Sequence, residues 1–217
     1  MNVYCIPGMG VNEQLFQNLK LNNCSIHDIK WETPLRNESL PGYAMRLAEQ
    51  IDQSQPFVLI GVSFGGMCCS EIARQLKPLK TILISSCKTT DELPLKIKIG
   101  RFFPIHKIES NALFIRAALL LRKQFGVVTK ENTELFKAML KTAPDNYFNR
   151  AIRSIVNWKQ KVPPANVIHI HGTVDKILPF KKIKNCNYRI ENGTHWMVMD
   201  RAKEISEIIN KEMKKVI

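Results

Sequence analysis

With 217 residues, 45 % of them hydrophobic and 24 % charged, the chain has enough apolar material for one packed domain, and its composition excludes a disordered or fibrous protein. The net charge of +13 admits nucleic acid, an anionic membrane or an acidic protein as partners. No zinc-finger spacing, RNA-binding aromatic signature or block of consecutive basic residues accompanies it, so nucleic acid is set aside.

Val3–Ile6 reads as a strand that ends in Pro7-Gly8-Met9-Gly10, and Asn12–Leu19 as a short helix. Ile26–Trp31 is a second strand, and Tyr43–Ile51 has apolar residues at helical spacing. Phe57–Ile60 is a β-rich run closed by Gly61. Met67–Leu76 is helical, Pro78 punctuates its end, and Thr81–Ile84 is the next strand. Between Lys88 and Lys161 the rhythm breaks into helical segments, Ala112–Gln124, Asn132–Leu140 and Tyr147–Val156, separated by Pro94, Pro104, Gly126 and Pro144. Val167–Ile170 and Tyr188–Ile190 resume the strands, and Val198–Met213 reads as one long amphipathic helix. The alternation predicts an α/β fold with a mostly parallel sheet of about six strands and helices on both faces. The core spans 1–87 and 162–217, and a helical insertion at about 88–161 caps the strand ends.

No run approaches the ~18 apolar residues of a membrane span. The N-terminus lacks the basic start and apolar stretch of a secretory signal. The six cysteines (Cys5, Cys24, Cys68, Cys69, Cys87 and Cys186) form no C-x-x-C pair and no zinc spacing, and read as reduced. A cytoplasmic protein with no integral membrane segment is expected.

Gly61-Val62-Ser63-Phe64-Gly65-Gly66 contains G-x-S-x-G between a strand and a helix. A serine on so sharp a turn is strained and pushed into the open, and small residues two positions either side let the chain pass. A phosphate-binding turn is the competing reading, but the lysine of a P-loop and the spacing of a dinucleotide fingerprint are both missing. A serine hydroxyl needs a neighbouring base. Of the histidines His27, His106, His169, His171 and His195, the last sits in a loop after the final strand, from which it can reach Ser63. His169 and His171 share one strand face and would need a third partner to hold a metal, so they read as buried or edge histidines. Asp175, in the turn after Val167–Ile170, is the acid that orients His195, with Asp91 and Glu92 as weaker alternatives. The oxyanion donors are the backbone N–H groups of Phe64 and Met9.

Together Ile6-Pro7-Gly8-Met9-Gly10, the Ser63 turn, His171-Gly172-Thr173-Val174-Asp175-Lys176-Ile177-Leu178-Pro179 and Gly193-Thr194-His195 resemble the α/β-hydrolase superfamily, and within it the small capped bacterial serine esterases. The antiparallel hairpin with which such proteins usually begin has no counterpart here. The resemblance implies hydrolysis of a carboxylic ester or thioester through an acyl-enzyme, without cofactor or metal. The alternatives are C–C hydrolysis or lyase-like chemistry on the same triad, as in menaquinone-pathway relatives, or a non-catalytic binding protein on the same scaffold. The segment 88–161 carries 15 Lys/Arg against 6 Asp/Glu, a net of +9 out of the chain's +13. Its stretch Leu113–Lys123, with Arg116, Arg122 and Lys123, combines apolar bulk with cations expected to point outward. A small ester or acyl compound is the expected substrate. An acidic acyl carrier protein is a possible partner, by parallel with the esterase of biotin synthesis, beside the plainer reading of a solvated basic face or a peripheral membrane contact.

Overall fold

The computed structural model describes residues 1–99 and 110–216, so His106 and Pro104 lie outside the described residues. Six strands form one sheet: β1 (Asn2–Ile6), β2 (Ser25–Asp28), β3 (Phe57–Val62), β4 (Lys80–Ile84), β5 (Val167–Gly172) and β6 (Tyr188–Ile190). Their order is β2-β1-β3-β4-β5-β6, and every pairing is parallel, with Val3 opposite Val58 and Ile60 opposite Ile82. All six residues of β3 are buried. Successive side chains of a strand point to opposite faces, so the sheet is covered on both sides at its centre. That explains the uninterrupted Phe57-Val58-Leu59-Ile60 run, in which each buried Val, Leu or Ile contributes about 1.5–3 kcal/mol.

The chain runs outward from β1 to β2, then returns past β1 to lay down β3 and continues to the opposite edge. The connections leaving β1 and β3 therefore diverge, which opens a crevice at the carboxyl ends of these two strands. Both the Pro7–Gly10 loop and Ser63 lie there.

Helices α1 (Leu40–Leu47) and α2 (Phe64–Gln75) connect the first strands. Between β4 and β5 come α3 (Leu95–Ile99), α4 (Asn111–Leu120), α5 (Arg122–Phe125), α6 (Lys130–Leu140) and α7 (Tyr147–Val156). The C-terminal helices are α8 (Met197–Asp200) and α9 (Ala202–Met213). Several boundaries depart from the sequence reading for local reasons. The expected helix Asn12–Leu19 is a 3-10 turn over Glu13–Phe16, where the Asn12 side chain takes the Gln14 N–H. The second strand is shorter, Ser25–Asp28, because it is an exposed edge with one neighbour. Helix α1 starts earlier than Tyr43, since the Ser39 hydroxyl caps it and Pro41 suits a first turn. The segment Ala112–Gln124 divides at Leu121, and Val198–Met213 divides at Arg201; both residues have near-zero ψ, 8° and 28°. Apolar spacing continues across both breaks, so periodicity does not register them. The short α3 follows Pro94 and carries too few residues for a periodic signal.

Candidate active site

Ser63 joins β3 to α2 in one residue, with φ 53° and ψ −118°. A non-glycine residue is strained there. Three hydrogen bonds hold it: its N–H donates to the Ile84 carbonyl (3.0 Å), and its carbonyl accepts from the Met67 N–H (3.2 Å) and the Ser86 hydroxyl (2.6 Å). Gly65 lets α2 press against the end of β1, because a Cβ at that position would lie 2.2 Å from the carbonyl oxygens of both Ile6 and Pro7. The first residue of a helix has no carbonyl four back to accept its N–H, and among the described residues the Phe64 amide beside Ser63 donates to no backbone acceptor outside its helix. Among the described residues the Met9 N–H likewise donates to no protein acceptor. The Met9 loop is pinned from outside by Trp31, whose indole N–H is shared between the Gly8 (3.1 Å) and Val11 (2.9 Å) carbonyls.

His195 and Asp175 come from the loops after β6 and β5. The two loops touch: the Val174 N–H donates to the Gly193 carbonyl (3.1 Å), and a Cβ on Gly172 would meet that same carbonyl oxygen at 2.1 Å. His195 Nδ1 lies 2.8 Å from Asp175 Oδ2, and His195 Nε2 lies 2.9 Å from Ser63 Oγ. A carboxylate only accepts, so Nδ1 carries the proton and Nε2 presents a lone pair to the serine hydroxyl. Asp175 is 4 % exposed, and its other oxygen accepts the Ile177 and Leu178 N–H groups at 2.8 Å each. Burial pushes the Asp175 carboxyl up, but His195, His171 and the Leu178 N–H together bring it below its ordinary value. The arrangement can accept a proton from Ser63 Oγ while the charge left on the imidazole faces an anion.

No protein-family model and no curated protein matches the chain. Solved structures do. MenH from S. aureus superimposes with a TM-score of 0.75 at 15 % identity, over 100 % of this chain and 94 % of that one. A thermophilic esterase from Thermogutta terrifontis gives 0.71 at 15 % identity, over 100 % and 90 %. YbtT, a type II thioesterase from the yersiniabactin NRPS/PKS biosynthetic pathway, gives 0.67 at 14 % identity, over 99 % and 93 %. The chain has the α/β-hydrolase fold.

In this α/β-hydrolase fold the crevice between β1 and β3 opens into a cavity of about 260 Å³. Ser63, His195, Met9 and Phe64 line one side of it. Ile97, Phe114, Ala118, Phe125, Phe136, Leu140 and Ile155, from the helices between β4 and β5, line the other. The Phe125 ring meets the His195 ring edge-on at 5.8 Å. Of the cations expected to point outward, Arg116 and Lys123 are exposed. Arg122 is half-buried instead, because its guanidinium folds back onto the Leu119 carbonyl at 3.2 Å.

Neither alternative acid reaches His195. Glu92 is buried in an ion pair with Lys88 (2.9 Å), and Asp91 is exposed. His27 is exposed at the sheet edge, stacked on Tyr4. His169 and His171 are fully buried, and their ring nitrogens bond to Lys88, to each other and to the Leu178 carbonyl rather than converging on an open site. Cys5, Cys68, Cys69 and Cys87 are buried, and burial raises their thiols well above their ordinary value, which disfavours the nucleophilic thiolate. Sequence reasoning missed Trp31 and Ser86, which hold the Met9 loop and the Ser63 turn. Nothing local marks either, since each acts on a backbone distant in sequence.

Proposed function

We propose that the chain is a serine hydrolase of a carboxylic ester or thioester, working through an acyl-enzyme. The observation that carries this reading is the continuous hydrogen-bond chain Ser63–His195–Asp175, of which Ser63 and His195 line an apolar cavity. Ser63 Oγ attacks the acyl carbon as its proton passes to His195 Nε2, and Asp175 stabilises the imidazolium formed. Negative charge develops on the former carbonyl oxygen, to which the Met9 and Phe64 N–H groups donate hydrogen bonds. The imidazolium then gives its proton to the leaving alcohol or thiol as the acyl–oxygen or acyl–sulfur bond breaks. Water, deprotonated by the same His195, attacks the acyl carbon of the ester on Ser63; the acyl–Oγ bond breaks as the imidazolium returns the proton to Ser63 Oγ, and acid and free enzyme are released.

The helices between β4 and β5 act as the cap in this reading. Their apolar residues take the acyl group, which favours substrates with a hydrocarbon acyl chain. The exposed Arg116 and Lys123 favour an acyl group delivered on an acidic carrier; the likeness to a type II thioesterase supports that choice.

The test is a fluorophosphonate label together with hydrolysis of esters and thioesters of graded acyl length, free and carrier-linked. Wild type should label at Ser63, and Ser63→Ala should abolish labelling and lower turnover by ~10³ or more. Near-normal turnover of pure Ser63→Ala protein would end the serine-hydrolase reading.

A further inference from the structure

Behind Asp175 lies a second row of buried polar groups that none of the acyl-transfer steps touches. His169 and His171 are each 0 % exposed and leave the same face of β5. Lys88, buried just beyond β4, places its ammonium 2.8 Å from His169 Nδ1, 2.6 Å from the Lys184 carbonyl and 2.9 Å from Glu92 Oε1. An ammonium has three protons and no lone pair. The three contacts use all three protons, so His169 Nδ1 must be the acceptor. The proton of a neutral His169 is then on Nε2, which lies 3.2 Å from His171 Nδ1. His171 Nδ1 must accept in its turn, and the His171 proton is left on Nε2. That nitrogen faces the Leu178 carbonyl at 2.8 Å and Asp175 Oδ2 at 3.5 Å.

The far end of the row bears directly on the acid. Leu178 is held at both ends of its backbone: its carbonyl accepts from His171, and its N–H donates to Asp175. In the opposite tautomer His171 would turn a lone pair toward the Leu178 carbonyl and the Asp175 carboxylate, and that contact would repel.

The charged and titratable groups around the row agree with neutral rings. Burial, then Lys88, then His171 hold His169 well below its ordinary value. Burial lowers His171 against the opposing pull of Asp175. Glu92 neutralises Lys88 while accepting the Lys88 and Lys184 N–H groups at 2.7 and 3.0 Å.

We propose that Lys88, His169 and His171 are positioning residues, a one-way hydrogen-bond chain in which a single ammonium dictates both imidazole tautomers and so keeps Asp175 aimed at His195. This inference rests on the reading of Asp175 as the orienting acid.

The experiment is nitrogen-15 NMR of the histidine rings in the full-length protein at neutral pH, paired with steady-state kinetics. In wild type both His169 and His171 should be neutral with the proton on Nε2; an Nδ1-protonated or charged ring at either position would overturn the chain. In Lys88→Met the His169 ring should lose its single tautomer; an unchanged spectrum would overturn the role of Lys88. His169→Gln keeps an acceptor for Lys88 and a donor for His171, so it should retain kcat within about threefold, whereas His169→Leu should lose about ten- to hundredfold in kcat with little change in KM. Wild-type kcat in folded His169→Leu, or an equal loss in both variants, would leave the row a structural feature only. The ring spectra do not depend on turnover. An unaffected Ser63→Ala enzyme would therefore strike the hydrolase reading while leaving the tautomer result standing.

Discussion

The two sides of the cavity are built differently. On the strand side, Ser63, His195, Asp175 and the Met9 and Phe64 amides sit where the chain leaves β1, β3, β5 and β6, and hydrogen bonds with Trp31, Ile84, Ser86 and Val174 hold these turns. On the helical side, Phe114, Ala118, Phe136, Leu140 and Ile155 contribute only apolar side chains. Hydrogen bonds are directional and weaken within a few tenths of an ångström, whereas apolar burial is non-directional and follows area. The reaction should therefore be intolerant of change on the strand side, and the choice of substrate should be adjustable on the helical side.

The sharpest way to break this comparison is Asp175→Asn. The amide oxygen would stay with the Ile177 and Leu178 N–H groups, so the amide NH2 would face His195 Nδ1 and impose the opposite tautomer, with the proton on Nε2 and no lone pair toward Ser63. We expect kcat to fall by ~10⁴ with modest change in KM, measured on any ester the wild type turns over. A loss of less than tenfold would mean that the acid side of the site is as tolerant as the apolar wall.

Ala118→Phe tests the other side. The added ring should shorten the cavity and leave Ser63, His195 and Asp175 in place. Each methylene that can no longer be buried weighs ~0.8 kcal/mol, about a fourfold change. We expect kcat/KM for acyl chains two carbons beyond the new limit to fall about fifteenfold, and acetyl esters to be spared. A uniform loss across chain lengths would place Ala118 outside the acyl path.

The smallest effect is on stability and belongs to the strand side. Burial lowers both His169 and His171 in the fold, whereas an unfolded chain takes up a proton at each near pH 6.5. Below that pH the unfolded state binds more protons, so stability falls as pH falls, by up to ~1.4 kcal/mol per pH unit for each histidine. Above it their contribution is constant. Asp175, whose carboxyl is lowered, loses its contribution only at more acid pH, as pH falls through its folded value. The urea midpoint should decline from pH 6.5 to 5 in wild type and decline less in the double variant His169→Gln, His171→Gln.

Much of this architecture was legible without coordinates. Apolar runs marked β1, β3 and the end of β4 because strands buried on both faces cannot alternate, and Val167-Ile168 and Ile170 marked β5 despite the two histidines among them. G-x-S-x-G and the order Ser63, Asp175, His195 marked the loops that meet, because a strained turn and a triad impose residue types at particular places in the chain. Neither helix break, at Leu121 or Arg201, could be read, since apolar spacing continues through both. Only the tertiary structure decided that Glu92 pairs with Lys88 rather than His195, that Arg122 folds back onto the Leu119 carbonyl, and that His169 and His171 form a row ending at Asp175. Trp31, Ser86 and Lys88 carry no local signature, because each acts on a group 23 to 81 residues away in the chain. Sequence pattern determines which residues must be buried or strained; which buried polar groups find each other is decided where strands distant in sequence become neighbours.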